Sequence, residues 1–467
     1  MKMALRWVVW AGLLLSFSTF AGPSVYQQAP NDARAITVVA ANDGKQDASA
    51  AIQAALDSAE AKGAGGIVLL PAGRYRLTKT LYLWPGVRLI GVGASRPVLL
   101  LADNTPGFQQ GVKHMVIFTG RGPEAKSKVP FPPAGSVPFR DDIADANSGT
   151  FYSAIDNIDI EIGKGNAAAA AIRFHAAQHA FLRHMEFQLG SAFAGIYQAG
   201  NYVEDLHFHG GRYGVVSEKT SDAWQFALID SSFDGQRDAA IREHEASLTL
   251  INVAISNTKT GIDIDQGYGD WLWGKNVRFD HVTRAGVVIS NENNVYTQIG
   301  FDHALASNTP TFALMRDSGR KLEPAGRNYR VDEFTYGLTL PQFGALGDYT
   351  TRLRSTPLGT VPPLPTAMRA LPAMKEWTNV RDLGAKGDGT TDDTAALQAA
   401  IDAHRVLWFP SGFYRVTDRL MLKPDTVLIG LHPGNTQIML ADGSAPYQGV
   451  GAPRALIEAP KGGDNIV

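Results

Sequence analysis

Glu218, His244 and Asp265 are the first groups in this chain whose type and spacing could do acid and base work. Each lies three residues beyond an apolar residue, Val215, Ile241 and Ile262, in successive segments that share one pattern. If those segments are strands stacked about 4.8 Å apart, the two carboxylates stand about 10 Å apart with an imidazole between them. That is near the upper end of the roughly 6.5 to 9.5 Å that separates the acid and the base when a glycosidic bond is hydrolysed with inversion. The same column also reads as a charged ladder that merely stabilises an exposed sheet. Glu245, Gln266, Asn291 and Glu292 fall one or two residues further on, where each segment turns, and their amide and acidic groups suit sugar hydroxyls or an oriented water. Asn291, in the run NENN, reads equally as a turn residue satisfying its own backbone.

The segment GYGDWLW places Tyr268, Trp271 and Trp273 around Asp270. Flat aromatic faces suit the apolar faces of sugar rings, and rings covering the end of a turn are the alternative. Gln178, in HAAQH, is a further candidate sugar contact. His175 and His179 beside it lack a third ligand, so no metal site is assigned and no cofactor is implied.

Groups so far apart in sequence need a repeating scaffold, and the sequence shows one. The apolar residues Ile160, Phe187, Phe208, Phe233, Ile255, Phe279 and Phe301 recur at steps of 21 to 27 residues. A companion column, Ile172, Ile196, Val215, Ile241, Ile262, Val287 and then Phe312, advances with it, each member following a small residue. Two columns moving together at this period predict about seven coils of a parallel β-helix, an all-β fold.

A second repetition frames the first. DGKQDASAAIQAALD, from Asp43, returns as DGTTDDTAALQAAID from Asp388, 345 residues on. LLPAGRYRLT from Leu69 likewise returns as WFPSGFYRVT from Trp408, and LYLWPGVRLIG from Leu81 as LMLKPDTVLIG from Leu420. Each copy reads as a tight Asp-Gly turn, a short helix capped by Thr391 or Asp392 in the second copy, and two strands. The expected organisation is a signal peptide over 1–21, a first β-helix with a capping helix over 22–354, a Pro-rich linker over 355–374, and the opening module of a second β-helix over 375–467. Lys2 and Arg6, the apolar run Trp7 to Leu15, and the small residues Thr19 and Ala21 carry the signal-peptide reading, and hence an expected secreted or periplasmic location. Pro123 to Pro138 reads as a long loop.

The paired modules resemble the pectate-lyase-like superfamily of right-handed parallel β-helices, and the tandem arrangement is similar to family 55 glycoside hydrolases, the exo-β-1,3-glucanases. That resemblance implies a site in the cleft between two β-helices, with a general acid from the second, for which no position of this sequence is available. Paired aspartates with the GHG and RIK motifs of polygalacturonases are absent.

Composition narrows the partners. A net charge of −2 lacks the basic excess that nucleic acid requires, and no segment beyond the N-terminal run is apolar enough for stable membrane insertion. The absence of cysteine excludes thiol chemistry and disulfides. The reading is a polysaccharide- or oligosaccharide-directed protein, first an inverting hydrolase, with a lyase or epimerase of acidic glycans and a non-catalytic glycan-binding β-helix as the alternatives.

Overall fold

The computed structural model describes residues 23–61, 65–120, 150–217, 225–365 and 369–463. The signal-peptide segment, Glu218 and the Pro-rich stretch 123–138 lie outside the described residues. The chain forms a right-handed parallel β-helix whose coils build a 19-stranded sheet folded over two faces and a ten-stranded sheet on the third.

Register follows the apolar columns. Ile160, Phe187, Phe208, Phe233, Ile255 and Phe279 are successive partners on one face. Ile172, Ile196, Val215, Ile241, Ile262 and Val287 are partners on another. Both columns point inward, and the phenyl rings of Phe187, Phe208 and Phe233 stack at 4.6 and 4.8 Å. The small residue before each companion position now has a cause. A Cβ on Gly214 would sit 2.4 Å from the Phe233 ring and one on Gly195 2.7 Å from the Phe208 ring, so the stacked aromatics require glycine at these two positions.

The last step of each column differs from the sequence expectation. Phe279 pairs with Ala306 rather than Phe301, and Val287 with Ala313 rather than Phe312. The strand Gln298–Ser307 runs through the turn without a break, so Phe301 belongs to the preceding strand position opposite Gly274. This strand is closed by an antiparallel hairpin, Asn328–Thr339 with Asp348–Pro357, which covers what would otherwise be an unpaired edge. The hairpin extends past residue 354, where the linker was expected to begin.

The bend between the two faces of the larger sheet repeats one backbone state. Asn157, His184, Asp205, Asp230, Asn252, Asn276 and His303 occupy it in successive coils with φ between 45° and 62°. Asn, Asp and His tolerate this left-handed region better than other side chains. The amides also link coils: Asn276 donates to Asn252, and Asn252 to Asp230.

The two opening modules share several hydrogen bonds. Helix α1 (Ser49–Glu60) is held by Gln53, which exchanges hydrogen bonds with both backbone groups of Tyr82; helix α2 (Thr394–Ala403) uses Gln398 on Met421 in the same way. Asp47 accepts from Ser49 and Thr78, and Asp392 from Thr394 and Thr417. The N-cap of α2 is Asp393, not Thr391 or Asp392, and its carboxylate is turned away to take the N–H groups of Lys386 and Gly387.

The modules meet through equivalent positions. Ile67, Leu69, Ile90 and Val92 of the first pack on Val406, Trp408, Ile429 and Leu431 of the second, with Tyr26, Met374 and Trp377 filling the seam. Three polar contacts lock it: Arg88 donates to the Leu431 carbonyl at 2.7 Å, the His432 imidazole meets the Gly86 carbonyl, and Asp32 accepts from both Ser411 N–H and hydroxyl. Arg88 is buried, so Arg88→Met leaves a buried carbonyl without its donor. The expected cost is about 1 to 3 kcal/mol, read as an earlier denaturant midpoint for the second module than for the solenoid; a single unshifted transition would contradict this joint.

Candidate functional site

A cavity of about 1180 Å³ with charged walls lies along the bend of the first β-helix where the linker and the N-terminal segment cross it. Its floor comes from three consecutive coils. Phe187 and Phe208 face inward, so the residues flanking them, Glu186, His207 and His209, face out, and so do Arg183 and Glu204 on the far side of the bend. Leu364, Pro365 and Arg369 to Met374 form the opposite wall.

Asp205 stands at the centre. Its carboxylate oxygens meet His184 Nδ1 at 2.8 Å and His207 Nε2 at 3.0 Å. Partial burial would raise the Asp205 pKa, but the two imidazole hydrogen bonds and the charge of those rings hold it well below the usual carboxylate range. With Nε2 donating to Asp205, His207 Nδ1 is left to accept from the Ser232 hydroxyl at 2.8 Å. Ser232, His207 and Asp205 thus form a relay in which the carboxylate orients an imidazole and would stabilise its protonated form.

Around this relay the arginines are already engaged. Arg96 is paired with Asp159 at 2.9 Å and Glu186 at 3.3 Å; Arg183 is paired with Asp156 at 2.8 Å and lies 3.8 Å from Glu204. Tyr202 donates its hydroxyl to Glu204, and burial together with that contact raises its pKa. None of Glu186, His184, Asp205, His207 or Ser232 was singled out from sequence. The available signal was their alternation with the phenylalanine column.

The residues named from sequence occupy other places. On the third face His244 Nδ1 lies 3.2 Å from Asp265, which also takes Arg242 Nε at 2.8 Å. Burial opposes ionisation of Asp265, yet those two partners lower its pKa, and the Tyr268 ring lies over His244 with centroids 3.8 Å apart. Gln266 is exposed beside them. Gln178 is exposed in a different loop, where its backbone carbonyl accepts the Tyr152 N–H, away from this group. Glu292 accepts the N–H groups of Asp317 and Ser318, and the Asn291 carbonyl accepts from Thr297, so both brace the turn. Asp263, opposite Arg242 on the next coil, pairs with Arg284 and Arg316.

Asp270 is inside, not among the aromatics that surround it in sequence. One oxygen accepts the Ser247 N–H at 2.9 Å and the side chain is almost fully buried. Glu243, also missed, points inward beside it, accepting from Ser217 and the Ala246 N–H. Burial pushes the Asp270 pKa up to about 7, with the charge of Glu245 adding to the shift. Burial and the charge of Asp270 raise that of Glu243 strongly. Trp271 and Trp273 are exposed on another face, beside the capping hairpin. Among the described residues no group of three or more His, Asp or Glu is placed to hold a metal ion, and no helix is long and apolar enough to cross a membrane.

The two raised carboxyls give a pH dependence of definite sign. A buried acid with a raised pKa binds more protons folded than unfolded, so its contribution is full below the unfolded value near 4 and is lost as pH rises through the folded value, about 7 for Asp270. Glu243→Gln is expected to raise the melting temperature at pH 8 relative to wild type and to narrow the difference at pH 4. Equal shifts at both pH values, read by thermal unfolding, would contradict the buried pair.

The sequence matches the rhamnogalacturonase A/epimerase, pectate-lyase-like family over residues 37–288 and 377–459. Alginate lyase 7 of Azotobacter vinelandii is 47% identical over 77 residues, 14% of this chain and 9% of that protein. The non-secreted LysM effector LysM15 of Penicillium expansum is 22% identical over 437 residues, 84% of this chain and 29% of that protein. The chain therefore spans less than a third of the length of these curated relatives. Among solved structures, the catalytic unit of a GH87 α-1,3-glucanase from Streptomyces thermodiastaticus is similar with a TM-score of 0.36 and 14% identity, covering 62% of each chain. The mannuronan C-5 epimerase AlgE4 A-module of Azotobacter vinelandii has a TM-score of 0.25 and 16% identity, covering 59% of this chain and 92% of that one.

Proposed function

The chain belongs to the rhamnogalacturonase A/epimerase, pectate-lyase-like family, and on that footing we propose that it acts on a polysaccharide in the cleft around Asp205 by proton transfer at a sugar carbon, as a lyase or epimerase of an acidic glycan. One observation carries this reading: Asp205 is held as an anion between two imidazoles at the floor of a large charged cavity. A hydrolase needs a carboxylic acid, with a raised pKa, to protonate the leaving oxygen. Asp205 is displaced the other way. An imidazole oriented by a carboxylate is instead suited to take and return a proton near neutral pH.

In this reading His207 exchanges its Ser232 bond for the substrate and takes the C5 proton on Nδ1 while Asp205 stabilises the imidazolium; the electron pair left on C5 either expels the C4 glycosidic oxygen, which leaves with a proton from the imidazolium, or takes a proton from solvent on the opposite face. Abstraction beside a sugar carboxylate is favoured when that carboxylate is neutralised. Arg369, which lines the same cavity, would supply that charge, while Arg96 and Arg183 there are held in ion pairs with Asp159, Glu186 and Asp156. An extracellular location would suit such a substrate.

Hydrolysis of the kind found in family 55 is the second reading. It is favoured by the position of the cavity, between the first β-helix and the segments leading into the second module, and by Glu186 and Glu204 in its walls. His244 and Asp265 would then be a separate charged pair rather than the reacting one.

The readings separate on a panel of alginate, polygalacturonate and laminarin in deuterated water. Unsaturated products or deuterium retained at C5 are expected from an acidic polymer, with His207→Ala reducing the rate by roughly 10²- to 10⁴-fold. Glucose from laminarin, undiminished in His207→Ala, would replace this reading with hydrolysis. Acetate release from an acetylated polymer with no change in its backbone would make Ser232 a nucleophile instead.

A further inference from the structure

Three exposed aromatic rings lie on the same sheet face as one wall of the cleft but further along the axis. Trp271, Trp273 and Tyr296 are 50%, 42% and 59% exposed, and the rings of Trp271 and Tyr296 stand 6.3 Å apart, tilted by 30°. Large open rings grouped in this way are uncommon on a surface that binds nothing.

Register connects them to the cleft. Outward-facing Tyr202 is followed on successive coils by Ala227, Thr249 and Trp273, and Glu204 by Ile229, Ile251 and Lys275. The two intervening coils therefore present small or half-buried apolar side chains, a low floor with an aromatic ring at each end. Three coil steps span on the order of 14 Å, the reach of about three pyranose rings. Trp273 also separates two hollows of about 440 and 470 Å³ whose far wall is the capping hairpin. One offers Gln298, Thr335 and Arg352, and the other Asp302, Glu333 and Arg354.

We propose that this face is a run of sugar subsites continuing the cleft, with Trp273 as the distal stacking platform, so that the ligand is one polysaccharide chain lying along the helix axis. The proposal rests on the carbohydrate reading of the cleft and deepens it: the preferred ligand must be long enough to touch Asp205 and Trp273 together. Aromatic faces supply sequence-tolerant stacking on the apolar faces of sugar rings, and the amide, hydroxyl and guanidinium groups beside them supply hydroxyl contacts.

The test uses the full chain in native gels cast with alginate, polygalacturonate or laminarin, comparing wild type with Trp273→Ala, Trp273→Phe and His207→Ala. Retardation by one polymer is expected, with a dissociation constant at least fivefold weaker in Trp273→Ala and recovery in Trp273→Phe, while His207→Ala loses turnover. Hexasaccharides of that polymer should show the loss and disaccharides should not, since a ligand of two rings reaches only one end. Wild-type turnover with unchanged affinity in Trp273→Ala would overturn the subsites while leaving the cleft reading intact. Trp273-dependent retardation without turnover would keep the subsites and remove the proposed chemistry. Absence of retardation by all three polymers, or a concentration-dependent dimer abolished by Trp273→Ala, would overturn the proposal, the latter assigning the rings to a second copy of the chain.

Discussion

Every feature of this molecule depends on coils lying in register at the spacing of hydrogen-bonded strands. Once Phe187, Phe208 and Phe233 stack, each coil is fixed in rotation relative to its neighbours, and a slip of one residue would turn every inward ring to solvent. Glycine opposite those rings is the counterpart of that fit. The left-handed bend does the rest: it repeats at Asn157, His184, Asp205 and Asp230, so each coil delivers polar side chains to the same edge.

The same alternation sorts carboxylates into two chemical kinds. At outward positions Glu186 and Glu204 meet arginines, and at the bend Asp205 meets two histidines. At inward positions Glu243 and Asp270 are left to each other and to a few backbone donors. Neighbouring residues in sequence can therefore differ widely in acidity. His244 and Asp265, adjacent to the inward pair in sequence, belong to a surface ion cluster with Arg242.

Much of the fold was legible because its period is written in large apolar residues. Six members of each column were read in their true register, and the duplication of the modules was plain from DGTTDDTAALQAAID. The errors arose where the chain departs from the repeat: Phe301 lies on a strand that runs unbroken through a turn, and Asp393 trades its capping role for a loop contact. The cleft was not legible. His184, Asp205 and His207 become neighbours only across coils, and the wall facing them arrives from residues near 370, whose docking no local pattern announces. Asp270 was misplaced because proximity to Trp271 and Trp273 in sequence outweighed alternation, which sends adjacent strand residues to opposite sides.

The seam between the duplicated modules bears on how the cleft is used. Its apolar contact is clamped by the buried Arg88 and His432 bonds and by the double bond from Asp32, which leaves little freedom for one module to swing on the other. The ordering entropy of the cleft is thus spent during folding rather than at each encounter. The linker wall of that groove is itself tied into the seam through Leu371 and Met374, so the fold that joins the modules also presets the wall facing Asp205.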